Sequence, residues 1–180
     1  MMSSAQASFD PFADRLARDI RNELSTAFVR GLDTGQNGLY LAVAERYLAK
    51  NLPPAHRAYV LDRLDRFGEV MAALAQRPLS DPFEQSVLLW DHGLLFEVHE
   101  RLETTWQSVS DKTRKAIKGV IQAIAAYLHW QCGHEEIALR LEQKAADLLR
   151  LHGDSLPASF NSGPIIAWLR QPKLGPLPRL

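Results

Sequence analysis

The stretch Phe96-Glu97-Val98-His99-Glu100-Arg101-Leu102-Glu103-Thr104-Thr105-Trp106 holds the densest set of side chains in this chain that could do chemistry. Imidazole and carboxylate placed together can share a metal ion or move a proton. On a helix with ~3.6 residues per turn, Leu95, Val98, Leu102 and Trp106 form a narrow apolar stripe. His99 lies beside that stripe, Glu103 follows one turn later, and Glu100 sits further round the same side. His99 and Glu103 therefore flank the buried face. Glu97 and Arg101, at i and i+4 on the opposite side, are expected to make a solvated surface ion pair.

Partners for this group are expected from the next long helix. There Ile117, Ile121, Ile124 and Leu128 make an apolar stripe, and Lys118, Gln122, Ala125 and His129 line a second, polar and small-residue face. Antiparallel packing after a short turn would bring His99 nearer to His129 than to Gln122, with Glu103 between them.

Three roles stay open. His99, Glu103 and His129, with Glu100 as a further candidate, could ligate a divalent metal, since facing helices build such sites in bundles. Alternatively, Glu100 or Glu103 acts as a base or binds a small cationic ligand in a metal-free pocket beside Trp106. In the third role, a His–Glu hydrogen bond completed by Gln122 or His129 fixes how two helices pack. That structural role is the commonest fate of such residues and leads. The string His-Glu-x-x-Glu lacks the second histidine of the zinc-protease motif, which argues against a protease. Trp90, Trp106 and Trp130 read as core anchors.

The elements that must position these residues are all helical. Asp10-Pro11 reads as a helix start whose apolar periodicity ends at Gly31; further helices are expected from Leu39 to Lys50 and from Pro54 to before Pro78. Asp81-Pro82-Phe83-Glu84 combines a cap, a proline at the first helical position and a capping-box glutamate. Helices then follow over 82–90, 94–107, 113–131 and 134–151, broken at Gly93, at the polar turn Ser108 to Lys112, and at Gly133. Trp90-Asp91-His92-Gly93 and Trp130-Gln131-Cys132-Gly133 echo one another, as two helical hairpins of similar size would require. With no strand pattern, the expected fold is an all-α bundle of antiparallel helical hairpins, about seven helices in number.

Composition excludes several function classes. Twenty-one basic residues balance 21 acidic ones among 180, so no basic field steers the chain onto nucleic acid or an anionic membrane. No apolar run is long enough to span a bilayer, and the N-terminus lacks a signal-peptide pattern. A single cysteine, Cys132, fits a reducing compartment, so a soluble cytoplasmic protein is expected. Leftover apolar residues on the first helices suggest a protein partner or a homo-oligomer.

Asp91-x-Gly93-x-x-Phe96-Glu97-x-His99-Glu100-x-Leu102-Glu103-x-x-Trp106, with Lys118-Gly119-Val120-Ile121-Gln122 and a later His129, resembles the domain-of-unknown-function family numbered 309. Asp91 stands where that pattern has Asn, Val98 where it has Ala, and Val120 where it has Leu; every polar position of the cluster is kept. The resemblance runs from about Pro82 to Leu151. It implies a helical bundle of bacterial or archaeal type and carries over Glu97, His99, Glu100, Glu103, Gln122 and His129 as shared positions, without an activity. The expected organisation is a disordered N-terminus over 1–9, a helical extension over 10–80 packed on the bundle, a family-like four-helix region over 81–152 and a Pro/Gly-rich tail over 153–180. The expected function is a binding or interaction module with a structural Glu/His cluster; the rival is a small metal-dependent or acid–base enzyme centred on His99, Glu100 and Glu103.

Overall fold

The computed structural model describes residues 8–170 and 176–180. They fold into α1 (Arg15–Thr34), α2 (Gly38–Leu48), α3 (Pro54–Gln76), α4 (Pro82–Asp91), α5 (Leu95–Thr105), α6 (Asp111–Gln131), α7 (Glu135–His152) and α8 (Gly163–Trp168), with 3-10 turns at Trp106–Ser108 and Gly153–Ser155. The described residues contain no strand, so the fold is all-α. Among the described residues the count rises from the expected seven helices to eight because the short apolar piece of the tail closes into α8. Two compact units divide the chain, one ending at Gln76 and the other beginning at Arg77.

In the first unit the helix begins later than Asp10-Pro11 suggests. The Asp10 carboxylate accepts from the amides of Phe12 and Ala13 and closes a turn. The helix waits for Asp14, whose side chain accepts from Leu16 N at 2.8 Å, satisfying one of the amides a helix start leaves open. It then continues through Gly31 to end at Gly35, whose φ of 69° suits a residue without Cβ. Phe28 stacks on Phe67 with centroids 3.9 Å apart, and Tyr40 meets both edge-on at 5.2 and 5.3 Å. Each such pair adds about 0.5–1.5 kcal/mol beyond its buried area. The expected disordered stretch lies outside the described residues except for Ser8 and Phe9, and the Phe9 ring stacks on Tyr59.

The second unit opens as its capping signal indicates: Asp81 accepts from Phe83 N and Glu84 N, both at 2.9 Å, with Pro82 starting the helix. α6 starts on Ser110, whose hydroxyl accepts from Thr113 N. Lys112 meets Asp154, Gly119 lies against Leu148 and Leu149, and Trp130 donates its indole N–H to Glu142. Positions advancing along α6 thus meet positions receding along α7, so these two helices run antiparallel. Gly119 permits their close approach, because a Cβ there would lie 2.9 Å from Leu149 Cγ.

The echo between the two Trp–Gly stretches is a repeated piece of backbone. Gly93 N bonds to Trp90 O and Leu94 N to Leu89 O; Gly133 N bonds to Trp130 O and His134 N to His129 O. These are the paired bonds with which a left-handed residue ends a helix, and φ is 67° at Gly93 and 77° at Gly133. The residue after each glycine then starts the next helix, Leu94 at φ −88°, ψ 57° and His134 at φ −87°, ψ 61°. Trp90 is further held by the C-terminal residues: its indole N–H donates to Pro178 O at 2.7 Å, and Leu180 N donates to Asp91 Oδ1 at 3.3 Å.

Candidate functional site

α5 is buried on two stripes, not one. Leu95, Val98 and Leu102 of the expected apolar stripe are buried, joined by Leu94, while Trp106 is only half-buried in the 3-10 turn after α5; Glu97, Arg101 and Thr105, spaced by single turns, make a second stripe. The solvated ion pair expected at Glu97 and Arg101 is therefore corrected: Glu97 is 0 % and Arg101 7 % exposed. Periodicity within α5 identifies its most apolar side but not what packs on the other. Thr105 ties this buried stripe to the backbone by donating from Oγ1 to Arg101 O at 3.1 Å.

The open sector of α5 carries His99, Glu100 and Glu103. His99 Nε2 lies 3.5 Å from Glu103 Oε1, and His99 Nδ1 lies 3.4 Å from Glu100 Oε1. One nitrogen or oxygen from each of the three falls within 4.8 Å of the others. His99 and Glu100 are mostly buried, while the Glu103 side chain is 59 % exposed and points the group toward solvent. His99 Nδ1 is shut away from water and makes no hydrogen bond. The ring is steadied from the other side by Phe96, stacked with centroids 5.4 Å apart.

Glu103 belongs to a second feature as well. Together with Trp106, Gln107, Lys118 and Ile121 it lines a pocket of about 500 Å³, within the range of small-molecule sites. Trp106 reaches it from the 3-10 turn that follows α5, which is pinned by Ser108 Oγ donating to Thr105 O at 2.9 Å. Lys118 and Ile121 reach it from one face of α6. The contribution of Lys118 was hidden in the sequence; the only trace was its place on the polar face of α6, in the same row as Gln122.

The remaining expected members are not part of this donor group. His129 Nδ1 lies 3.1 Å from Nδ1 of His134 across the Gly133 turn. Among the described residues, the group with metal-binding spacing is His99, Glu100 and Glu103, without His129. Gln122 is half-buried, with its Oε1 out of reach of water and of any hydrogen-bond donor.

The site is a helix-borne His–Glu–Glu group whose Glu103 also lines the pocket beside Trp106, a donor set that can hold a cation or a proton. No helix among the described residues is long and apolar enough to cross a membrane. No curated protein and no solved structure matches the chain. A family model does match, over residues 83–141, a stretch that contains every member of the site and none of the first unit. The model that matches this stretch is that of the family described as domain of unknown function (DUF309).

Proposed function

We propose that the second unit is a binding module whose site is a divalent-cation centre on His99, Glu100 and Glu103, opening onto the pocket beside Trp106. The observation that carries this reading is the convergence of one imidazole and two carboxylates within 4.8 Å, one of which, Glu103, lines the pocket. One nitrogen and two oxygens form a mixed donor set, which suits Zn²⁺, Mn²⁺ or Fe²⁺ better than the all-oxygen sites favoured by Ca²⁺. Three protein ligands leave positions for water or a ligand, the arrangement of a working metal site and not of a closed structural one. A cation would also satisfy the buried, unbonded nitrogen of His99.

The reading is tested by titrating Zn²⁺ and Mn²⁺ into untagged protein by calorimetry, beside His99→Ala and Glu103→Ala. One site is expected, weakened at least about tenfold in each variant with helicity by circular dichroism unchanged. Absence of uptake by the parent protein sinks the metal centre. The second reading, a packing device without ligand, is favoured by the Phe96–His99 stack and expects His99→Ala to lower stability with no metal effect. A hydrolytic or acid–base enzyme at the same group is the extension to pursue if a cation binds with exchangeable water.

A further inference from the structure

We infer that the pocket takes a small amphipathic carboxylic acid, with its apolar body against Trp106 and Ile121 and its carboxylate on Lys118. This deepens the reading above and rests on it in one respect, that the charge of Glu103 is engaged by the His99 group.

Two opposite charges face the pocket, Glu103 from α5 and Lys118 from α6. They are not equivalent. Glu103 already lies 3.5 Å from His99 Nε2 and within the three-residue donor group. Lys118 is exposed and makes no ion pair among the described residues. With Glu103 engaged, the charge left for an incoming molecule is the ammonium of Lys118.

The rest of the wall sets the body of the ligand. Trp106 and Ile121 supply an indole and a branched aliphatic surface, and Gln107 supplies an amide. Few convergent polar groups on a mainly apolar wall are the usual makeup of a small-ligand site. The head group follows from the count of cations. A phosphate monoester carries nearly two charges and is commonly met by a guanidinium or by several donors, whereas a single ammonium matches a single carboxylate. The volume of about 500 Å³ admits a body the size of a bicyclic aromatic acid.

The test uses the full chain and two matched probes, 2-naphthoate and 2-naphthylmethylammonium, titrated by calorimetry with and without saturating Zn²⁺. Naphthoate is expected to bind at least about tenfold more tightly than the ammonium. Lys118→Gln is expected to erase most of that preference, while Lys115→Gln, an exposed change on the same helix, leaves it intact. Equal affinity for the two probes, failure of both to bind, or naphthoate affinity unchanged in Lys118→Gln overturns the inference. A chain that ignores Zn²⁺ yet binds naphthoate through Lys118 refutes the cation centre and leaves the acid pocket standing; Zn²⁺ uptake without naphthoate binding does the reverse.

Discussion

The two units bury polar side chains in opposite ways. In the first, one partner of each pair stays in water: buried His56 holds Asp14 at 2.7 Å, and the Asp14 side chain is 40 % exposed. Buried Tyr47 likewise shares a hydrogen bond with Glu23, whose side chain is 43 % exposed and also pairs with Arg46. In the second unit, Glu97 and Arg101 are both inside the protein, one turn apart. The first arrangement keeps most of the solvation of the charged partner and makes the stability of the unit responsive to pH. The second takes two ionisable side chains out of water on one stripe of α5, where an uncompensated charge is costly. α5 thus separates its charges by burial: Glu97 and Arg101 lie in the core, and His99, Glu100 and Glu103 lie in a more exposed sector.

The sharpest way to break this contrast is to empty the buried position. Glu97→Ala is expected to destabilise the second unit by about 3–5 kcal/mol, the cost of an uncompensated buried charge, read from urea unfolding. A loss below about 1 kcal/mol, as at an exposed pair, would remove the distinction. Next in size is the alkaline response of the first unit. Burial, reinforced by the hydrogen bond and charge of Glu23, pushes the Tyr47 hydroxyl up from 10.0 to about 12. A raised value means that the folded state holds its proton longer than the unfolded chain. The stabilisation is therefore complete below pH 10 and is lost as pH climbs toward 12, by roughly 2–3 kcal/mol. Tyr47→Phe should flatten that slope; an unchanged slope would assign the alkaline loss elsewhere.

Smaller effects sharpen the picture at the joints and at the open cluster. Gly133→Ala forces a Cβ onto a residue at φ 77° and is expected to cost about 1–2 kcal/mol, visible as a lower midpoint of thermal unfolding. His99→Ala should cost the least, under about 1 kcal/mol, because its partners are a half-buried glutamate and an exposed one. A large loss at His99 would move the cluster into the same class as Glu97.

Much of the fold is legible because it is written locally. Asp81, Pro82 and Glu84 lie within one helical turn and bond to one another's neighbours, so the start of α4 can be read from four letters. The glycine joints are similar, since φ near 70° demands a residue without Cβ wherever the bond pattern recurs. Grouping of His99, Glu100 and Glu103 is likewise a property of one helix. What escapes is nonlocal. Burial of Glu97 and Arg101 depends on what covers the far side of α5, and the start at Arg15 depends on Asp14 offering a second cap four residues after Asp10. His129 was expected to lie near His99; its approach to His134 accompanies the Schellman-type bonds around Gly133, which bring the two rings together across the turn.

The bond from the Trp90 indole to the carbonyl of Pro178 spans 88 positions, and that distance has a kinetic meaning. Closing so long a loop costs chain entropy that a single hydrogen bond does not recover until the helices between are in place. The contact is therefore expected to form after the rate-limiting step and to act on escape from the native state, not on arrival. Trp90→Phe should leave the refolding limb of a chevron where it was and steepen the loss on the unfolding limb alone. That outcome would make residues 178–180 a latch whose strength sets the lifetime of the folded unit and not the speed at which it is made.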